Sequence, residues 1–144
     1  MKRTLSLIFL LLISAYSLAG QSIIRTPMGE ILDDLSYFSS LYPRLEGSKE
    51  EKAAYSYIKK RLDADGISYA EHSLEGLREA HSFSSSIIVD LPGRLPDTLN
   101  IVVPIDHHAQ KEPGQDGSVN IALGLALVRE FAPRQLETGL RILF

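Results

Sequence analysis

Asn100–Phe131 reads NIVVPIDHHAQKEPGQDGSVNIALGLALVREF, and the order of its apolar and polar blocks decides the fold. Leu99–Ile105 is an apolar run of strand type, with Asp97 leading into it and Pro104 near its end, where loss of one ladder donor is tolerable. Asp106-His107-His108 then opens a stretch to Ser118 that carries Pro113, Gly114 and Gly117, the punctuation of a loop. Ile121–Ala132 has helical spacing and is apolar nearly all round, which predicts burial between a sheet and other elements; Pro133 stops it. Leu140–Phe144 is a second apolar run, so the stretch reads as strand, helix, strand: a βαβ unit in a layered α/β domain. Chemistry-bearing side chains in open α/β sheets collect beyond the carboxyl end of a strand. Asp106, His107, His108 and Asn120 would converge at such a point.

Upstream, Thr26-Pro27 reads as the cap and first residue of a helix, since proline lacks only an N–H that would be unpaired there. Ile31, Leu32, Leu35, Phe38 and Tyr42 fall on one face of it, and Pro43 ends it. Ser48 and Glu51 form a capping box for a second helix, whose buried stripe is Ala54, Tyr55, Ile58 and Leu62. Lys52, Lys59, Lys60 and Arg61 read as its solvated face, and Gly66 as its left-handed stop. Ile67–Ser73 and Ser84–Leu91 are strand candidates, followed by a Pro92-Gly93 turn. The predicted order is helix, helix, strand, strand, strand, helix, strand.

The first segment, MKRTLSLIFLLLISAYSLAGQ, has the parts of a secretory signal: basic Lys2 and Arg3, apolar Leu5–Ile13, and small residues at Ser17–Gly20. Its apolar run is short for a membrane span. The expected division is a signal peptide over 1–20 and a domain over 21–144, exported to the periplasm or medium, with membrane attachment only through an uncleaved signal. Loss of Lys2 and Arg3 makes the net charge more negative than −3, and no basic patch suggests nucleic acid. An exported chain with no cysteine must hold itself together by its apolar core, and 44% hydrophobic residues suit that.

Taken in order, these pieces resemble the M28 zinc metallopeptidases of aminopeptidase type. PRLEGSKEEKAAYSYIKKRLDADGI (Pro43–Ile67) is similar to the arginine, glycine-serine and amphipathic helix that open that domain. SIIVDLPG (Ser86–Gly93) resembles its strand and Pro-Gly segment, and NIVVPIDHH its metal-bearing strand. GSVNIALGLALVREFA (Gly117–Ala132) resembles its metal-loop-to-helix signature, with Gly124 and Glu130 in register, and LRILF the following strand. The likeness runs from Ile31 to Phe144. It implies part of a three-layer α/β/α sandwich with a mixed sheet, cut short at the C-terminus. It further implies two zinc ions joined by a bridging carboxylate, with a water between them that attacks a peptide carbonyl and a glutamate as general base.

The residues depart from that pattern. The family's strand ends in His-any-Asp, whereas this chain has Asp106 in the His position and His108 in the Asp position. The bridging aspartate falls at Asn120, whose neutral carbonyl oxygen replaces two charged ones. Two dications held close without an anionic bridge repel strongly. The general-base glutamate and later ligands would follow Phe144. The metal positions implied by the likeness are therefore Asp106, His108 and Asn120, with no catalytic residue, and zinc is expected to bind weakly or not at all.

Plainer roles stand beside these. Asp106, His107 and His108 also suit a polar loop rim, or a shifted set in which His107 or His108 joins Asp116 around one zinc. Asn120 suits a helix cap. His72 and His81 fall outside the pattern and read as surface residues. Ser82, Ser84, Ser85 and Ser86 lack the Gly-any-Ser-any-Gly context of a nucleophile. Glu46 and Glu50 read as solvated, and Tyr37, Tyr42, Tyr55 and Tyr57 as helix packing. The expected function is an exported M28-like metallopeptidase homologue, truncated and not catalytically competent alone. Its competitors are the amino-terminal half of an active zinc-dependent aminopeptidase and a non-catalytic binding or structural module. Expected partners are a peptide substrate if the chain is active, and otherwise a second copy or a complementing carboxyl-terminal half, because Leu140–Phe144 would be left as an unfinished edge strand.

Overall fold

The computed structural model describes residues 26–73, 85–105 and 117–144. Three helices, α1 (Met28–Ser40), α2 (Lys49–Ala64) and α3 (Ser118–Phe131), accompany four strands, β1 (Ala70–Ser73), β2 (Ser85–Leu91), β3 (Thr98–Val102) and β4 (Gly139–Leu143). Their order along the chain is the one the sequence predicts. The segment over 1–20, His81, Ser82 and Ser84 lie outside the described residues.

The sheet runs β1-β2-β4-β3. β1 pairs antiparallel with β2, β2 antiparallel with β4, and β3 parallel with β4, so the sheet is mixed and the βαβ unit is present. This corrects one expectation. β4 is not an edge strand: it lies between β2 and β3, bonded on both sides, and among the described residues the edges of the sheet are β1 and β3. Sequence order hides this, because the last strand inserts between two earlier ones.

Side-chain alternation splits the sheet into two unlike faces. Ile87, Val89, Leu140, Ile142 and Val103 are buried and share one cluster with Phe38 of α1, Ile58 and Leu62 of α2, and Ile121, Leu125 and Val128 of α3. The other face carries Ile88, Leu143 and Val102, which the register aligns as one row across three strands, beside the exposed Asp90–Arg141 pair. Among the described residues, the α/β sandwich is thus built as a helical layer on one face of a mixed sheet. Val103 still donates to Leu143 O at 2.8 Å, but regular pairing of β3 stops at Val102, since Pro104 has no N–H to continue it.

Local signals explain the helices. Ser48 Oγ accepts from Glu51 N at 3.0 Å, the serine half of the capping box, while Glu51 Oε2 accepts from Gly47 N, one residue before the cap, at 2.6 Å and Ser48 N bonds Leu45 O. Gly66, at φ +67°, follows α2 as its left-handed stop. α1 starts one residue later than predicted, with Pro27 as its cap; Thr26 instead sends its hydroxyl to Ala126 O of α3, at 3.4 Å. The inward line of α1 is Asp34 and Phe38, while Leu32 is 55% exposed. Arg61 is not simply solvated, because its guanidinium turns back toward Asp34 and Glu30. Tyr37 and Tyr57 stack with centroids 3.9 Å apart and both meet Phe38 edge-on, which is helix packing as read from the sequence. Glu46 and His72 are exposed.

Candidate functional site

The site is defined by where β3 ends and α3 begins. These two stems are neighbours: a Cβ built on Gly117 would stand 3.8 Å from Pro104 O. Gly117 caps α3 at φ +75°, a left-handed conformation that costs glycine nothing and side-chain-bearing residues much more. Its side chain offers no cap, so the N-terminal end of α3 presents backbone N–H groups and the positive end of the helix dipole toward the stems. Lower down, Gly124 lets α3 lie close on the sheet, since a Cβ there would meet Phe144 Cε1 at 2.8 Å and Val103 Cγ2 at 3.2 Å.

Asn120 is exposed in the first turn of α3, just beyond Gly117 and Ser118. It is not the helix cap. α3 starts at Ser118, earlier than predicted, because the glycine before it can adopt the capping conformation that an asparagine would otherwise serve. Asp106, His107, His108 and Asp116 lie outside the described residues; their stem residues, Ile105 and Gly117, are described. Among the described residues no cluster of three or more His, Cys, Asp or Glu could hold a metal ion.

The chemistry of the candidate donors decides what could bind. Asn120, the one sequence-predicted donor among the described residues, offers an exposed neutral amide oxygen in place of the two charged oxygens of a bridging carboxylate.

Sequence reasoning missed one site residue. Arg44, in the turn between α1 and α2, is fully buried. Its Nε donates to Ile105 O at 3.0 Å and its Nη1 to Ser118 Oγ at 3.1 Å, with a further bond from Nη1 to Phe38 O. It thus touches the last residue of one stem and the first helical residue of the other. No periodicity could have shown this; only its place in the Arg-any-any-Gly-Ser stretch set it apart.

A cleft lies at the end of the sheet away from these stems. Leu91, which pairs with Leu140 at the start of β4, lines it, whereas β3 reaches the stems where Val102 pairs with Leu143 at the end of β4. This cleft of about 550 Å³ is lined by Glu30, Asp65, Asp90 and Arg129 among others. Arg141 hydrogen-bonds Asp90 in a forked pair and holds that carboxyl below its ordinary value. Among the described residues no helix is long and apolar enough to cross a membrane.

Known structures share the fold. A proposed zinc-dependent exopeptidase from Bacteroides vulgatus superposes with a TM-score of 0.61 at 16% identity, over 81% of this chain and 45% of that one. A leucine aminopeptidase precursor from Bacteroides thetaiotaomicron gives 0.61 at 16% identity, with the same coverages of 81% and 45%. Fimbriiglobus ruber glutaminyl cyclase gives 0.64 at 11% identity, over 80% and 43%. The fold is that of zinc aminopeptidases and glutaminyl cyclases. At such identities the likeness concerns the fold alone. The chain spans somewhat under half the length of these proteins. No protein-family model and no curated protein matches the sequence.

Proposed function

We propose that this chain is an M28-like metallopeptidase homologue that does not act as a peptidase by itself. The observation that carries the proposal is Asn120: it stands exposed at the first turn of α3, beside the end of β3, at the position where the resemblance requires a bridging carboxylate. A neutral oxygen there leaves two dications mutually repelled, so any metal binding is by one ion, through Asp106, His108 and Asn120. A bound divalent ion would lower the pKa of a water and polarise a carbonyl. Asp106 and Asn120 would orient it. The basic start and apolar middle of the first segment support an exported location.

The test is a turnover assay on the purified full chain with added zinc or cobalt. It should offer aminoacyl substrates, which report peptide-bond cleavage, and glutaminyl peptides, which report ammonia release by cyclisation. No metal-dependent turnover is expected with either. Clear hydrolysis abolished by a chelator would support the competing reading, the amino-terminal half of an active zinc-dependent aminopeptidase.

One observation favours a second reading, a binding or structural module. Among the described residues, the face of the sheet away from the helices presents the row Ile88, Leu143 and Val102 half-buried or exposed, and β3 is an edge strand. Such a surface suits self-association or a complementing polypeptide.

A further inference from the structure

β3 meets β4 on one side, and two bonds show which of its backbone groups do so. Asp97 O accepts from Gly139 N at 2.9 Å, and Val103 N donates to Leu143 O at 2.8 Å. Backbone directions alternate along a strand, so the odd-numbered residues turn to β4, and the N–H and C=O groups of Thr98, Asn100 and Val102 turn outward. Among the described residues no strand meets them there. The side chains of β3 are also poorly covered. Leu99 shares the helix-covered face with its neighbour Leu140, yet Leu99 is 60% exposed and Leu140 6%; Val102, on the open face, is 71% exposed. The helical layer therefore stops short of β3. The other edge, β1, is defended by charge, since its Glu71 pairs with Lys59 at 3.1 Å, whereas Thr98–Val102 carries none.

We propose that β3 is a dimerisation edge, pairing antiparallel with β3 of a second copy about a two-fold axis at Asn100. This rests on the binding-module reading and names its partner. The sequence of the strand fits its own copy. An axis at Asn100 sets Asn100 against itself and Thr98 against Val102, all residues whose backbone groups turn outward and can exchange hydrogen bonds. Pro96 and Pro104 stand at equal distances on either side of Asn100 and end the pairing symmetrically, because neither has an N–H to donate. An axis moved to Leu99 would oppose Val102 to Pro96, and one moved to Ile101 would oppose Thr98 to Pro104, so either shift loses a donor. The opposed side chains are alike: Thr98 with Val102 on the open face, Leu99 with Ile101 on the helix face, and amide with amide at the axis. No charge in the strand meets its own copy. A two-fold axis perpendicular to the sheet keeps both helical layers on one face and joins two four-stranded sheets into a single one. So short a pairing falls below a standard interface of about 800 Å² per partner, and the dimer is therefore weak and reversible.

The experiment follows dimerisation of the full chain by sedimentation velocity over a concentration series. Asn100→Pro deletes an outward N–H and leaves the bonds of the odd-numbered residues to β4 in place, which protection of the Val103 amide from exchange verifies. It should weaken dimerisation about tenfold or more, through loss of the central pair. The chain has no cysteine, so Asn100→Cys introduces a sole thiol. At dimer-forming concentration a short bismaleimide should link that thiol to its symmetry mate and leave Glu71→Cys, on β1, unlinked. A wild-type chain that stays monomeric throughout overturns the proposal together with the self-association behind it. A dimer that survives Asn100→Pro, or that links at Glu71→Cys as readily as at Asn100→Cys, overturns pairing through β3 and leaves the binding-module reading standing. Should Asn100→Pro fail to fold, the cross-linking decides alone.

Discussion

Arg129 Nη1 lies 2.7 Å from Asp34 Oδ2, and neither side chain is open to solvent: Asp34 is fully buried and Arg129 is 8% exposed. Asp34 Oδ1 also accepts from Tyr57 OH at 2.8 Å and faces Arg61 Nε at 3.0 Å, while Arg129 Nε reaches Asp65 Oδ2 at 2.7 Å. One carboxylate therefore ties α1 to α2 and α3. Burial works against the charge on Arg129, but its bonds to Asp34 and Asp65 outweigh that and raise its pKa. Two buried donors of the cluster, Arg61 Nε and Arg129 Nη2, make no hydrogen bond among the described residues, so the cluster has no slack to absorb a further loss. Asp34→Ala should destabilise the chain by about 3–5 kcal/mol, the usual consequence of removing one partner from a buried pair. Denaturant unfolding measures it, and a loss under about 1 kcal/mol would show that water replaces the carboxylate.

Tyr57 gives the same cluster a pH signature. Burial, then its hydrogen bond to Asp34, pushes the phenol up to about 12 from its ordinary value of 10.0. The folded state thus favours the protonated form. Its contribution to stability is fully present below pH 10 and is lost as pH rises toward 12. An ultraviolet titration of tyrosinate should show a late component that Tyr57→Phe removes. Loss of an early component instead would place Tyr57 in ordinary solvent.

Part of this architecture was legible in the sequence, and the division has a physical basis. Ser48 and Glu51 announced the start of α2, and Gly66 its end, because caps are short-range chemistry between neighbours in the chain. The β-branched run Ile87-Ile88-Val89 marked a strand for the same reason. Asp34, Arg44 and Arg61 were illegible: a charged residue reads as solvated unless its partner is known. Here the partners Arg129 and Ser118 lie 95 and 74 residues away. The position of β4 between β2 and β3 was equally hidden, since apolar runs do not name their neighbours. Of the candidate ligands, only Asn120 falls among the described residues, and the cap it was read as belongs to Gly117.

Gly124 offers a contest of two terms. Alanine is the better helix former by about 1 kcal/mol. Its Cβ, however, would stand 2.8 Å from Phe144 Cε1 and 3.2 Å from Val103 Cγ2, both on buried residues with little room to retreat. Overpacking of this kind costs about 1–3 kcal/mol. Gly124→Ala should therefore lower the melting temperature, and because the crowded residues directly follow β3 and β4, it should also loosen the stem that leads to Asp106. A raised melting temperature would mean that α3 can slide outward at no cost.

The free edge of β3 is the last point at which the fold makes a demand. Val102 is 71% exposed and Leu99 60%, on a strand whose outer backbone groups face no partner strand among the described residues. Such an edge is a template for pairing, and charge on it is the common defence. Here the strand itself, Thr98–Val102, carries no charge at all. The chain should therefore associate as its concentration rises, and Val102→Lys should suppress this. At so exposed a position the substitution should change stability by no more than about 0.5 kcal/mol. Sedimentation velocity over a concentration series distinguishes the cases. If association survives Val102→Lys but falls with a charge at Leu143, the contact lies on the open sheet face; a wild-type chain that stays monomeric throughout would mean that neither surface is available for pairing.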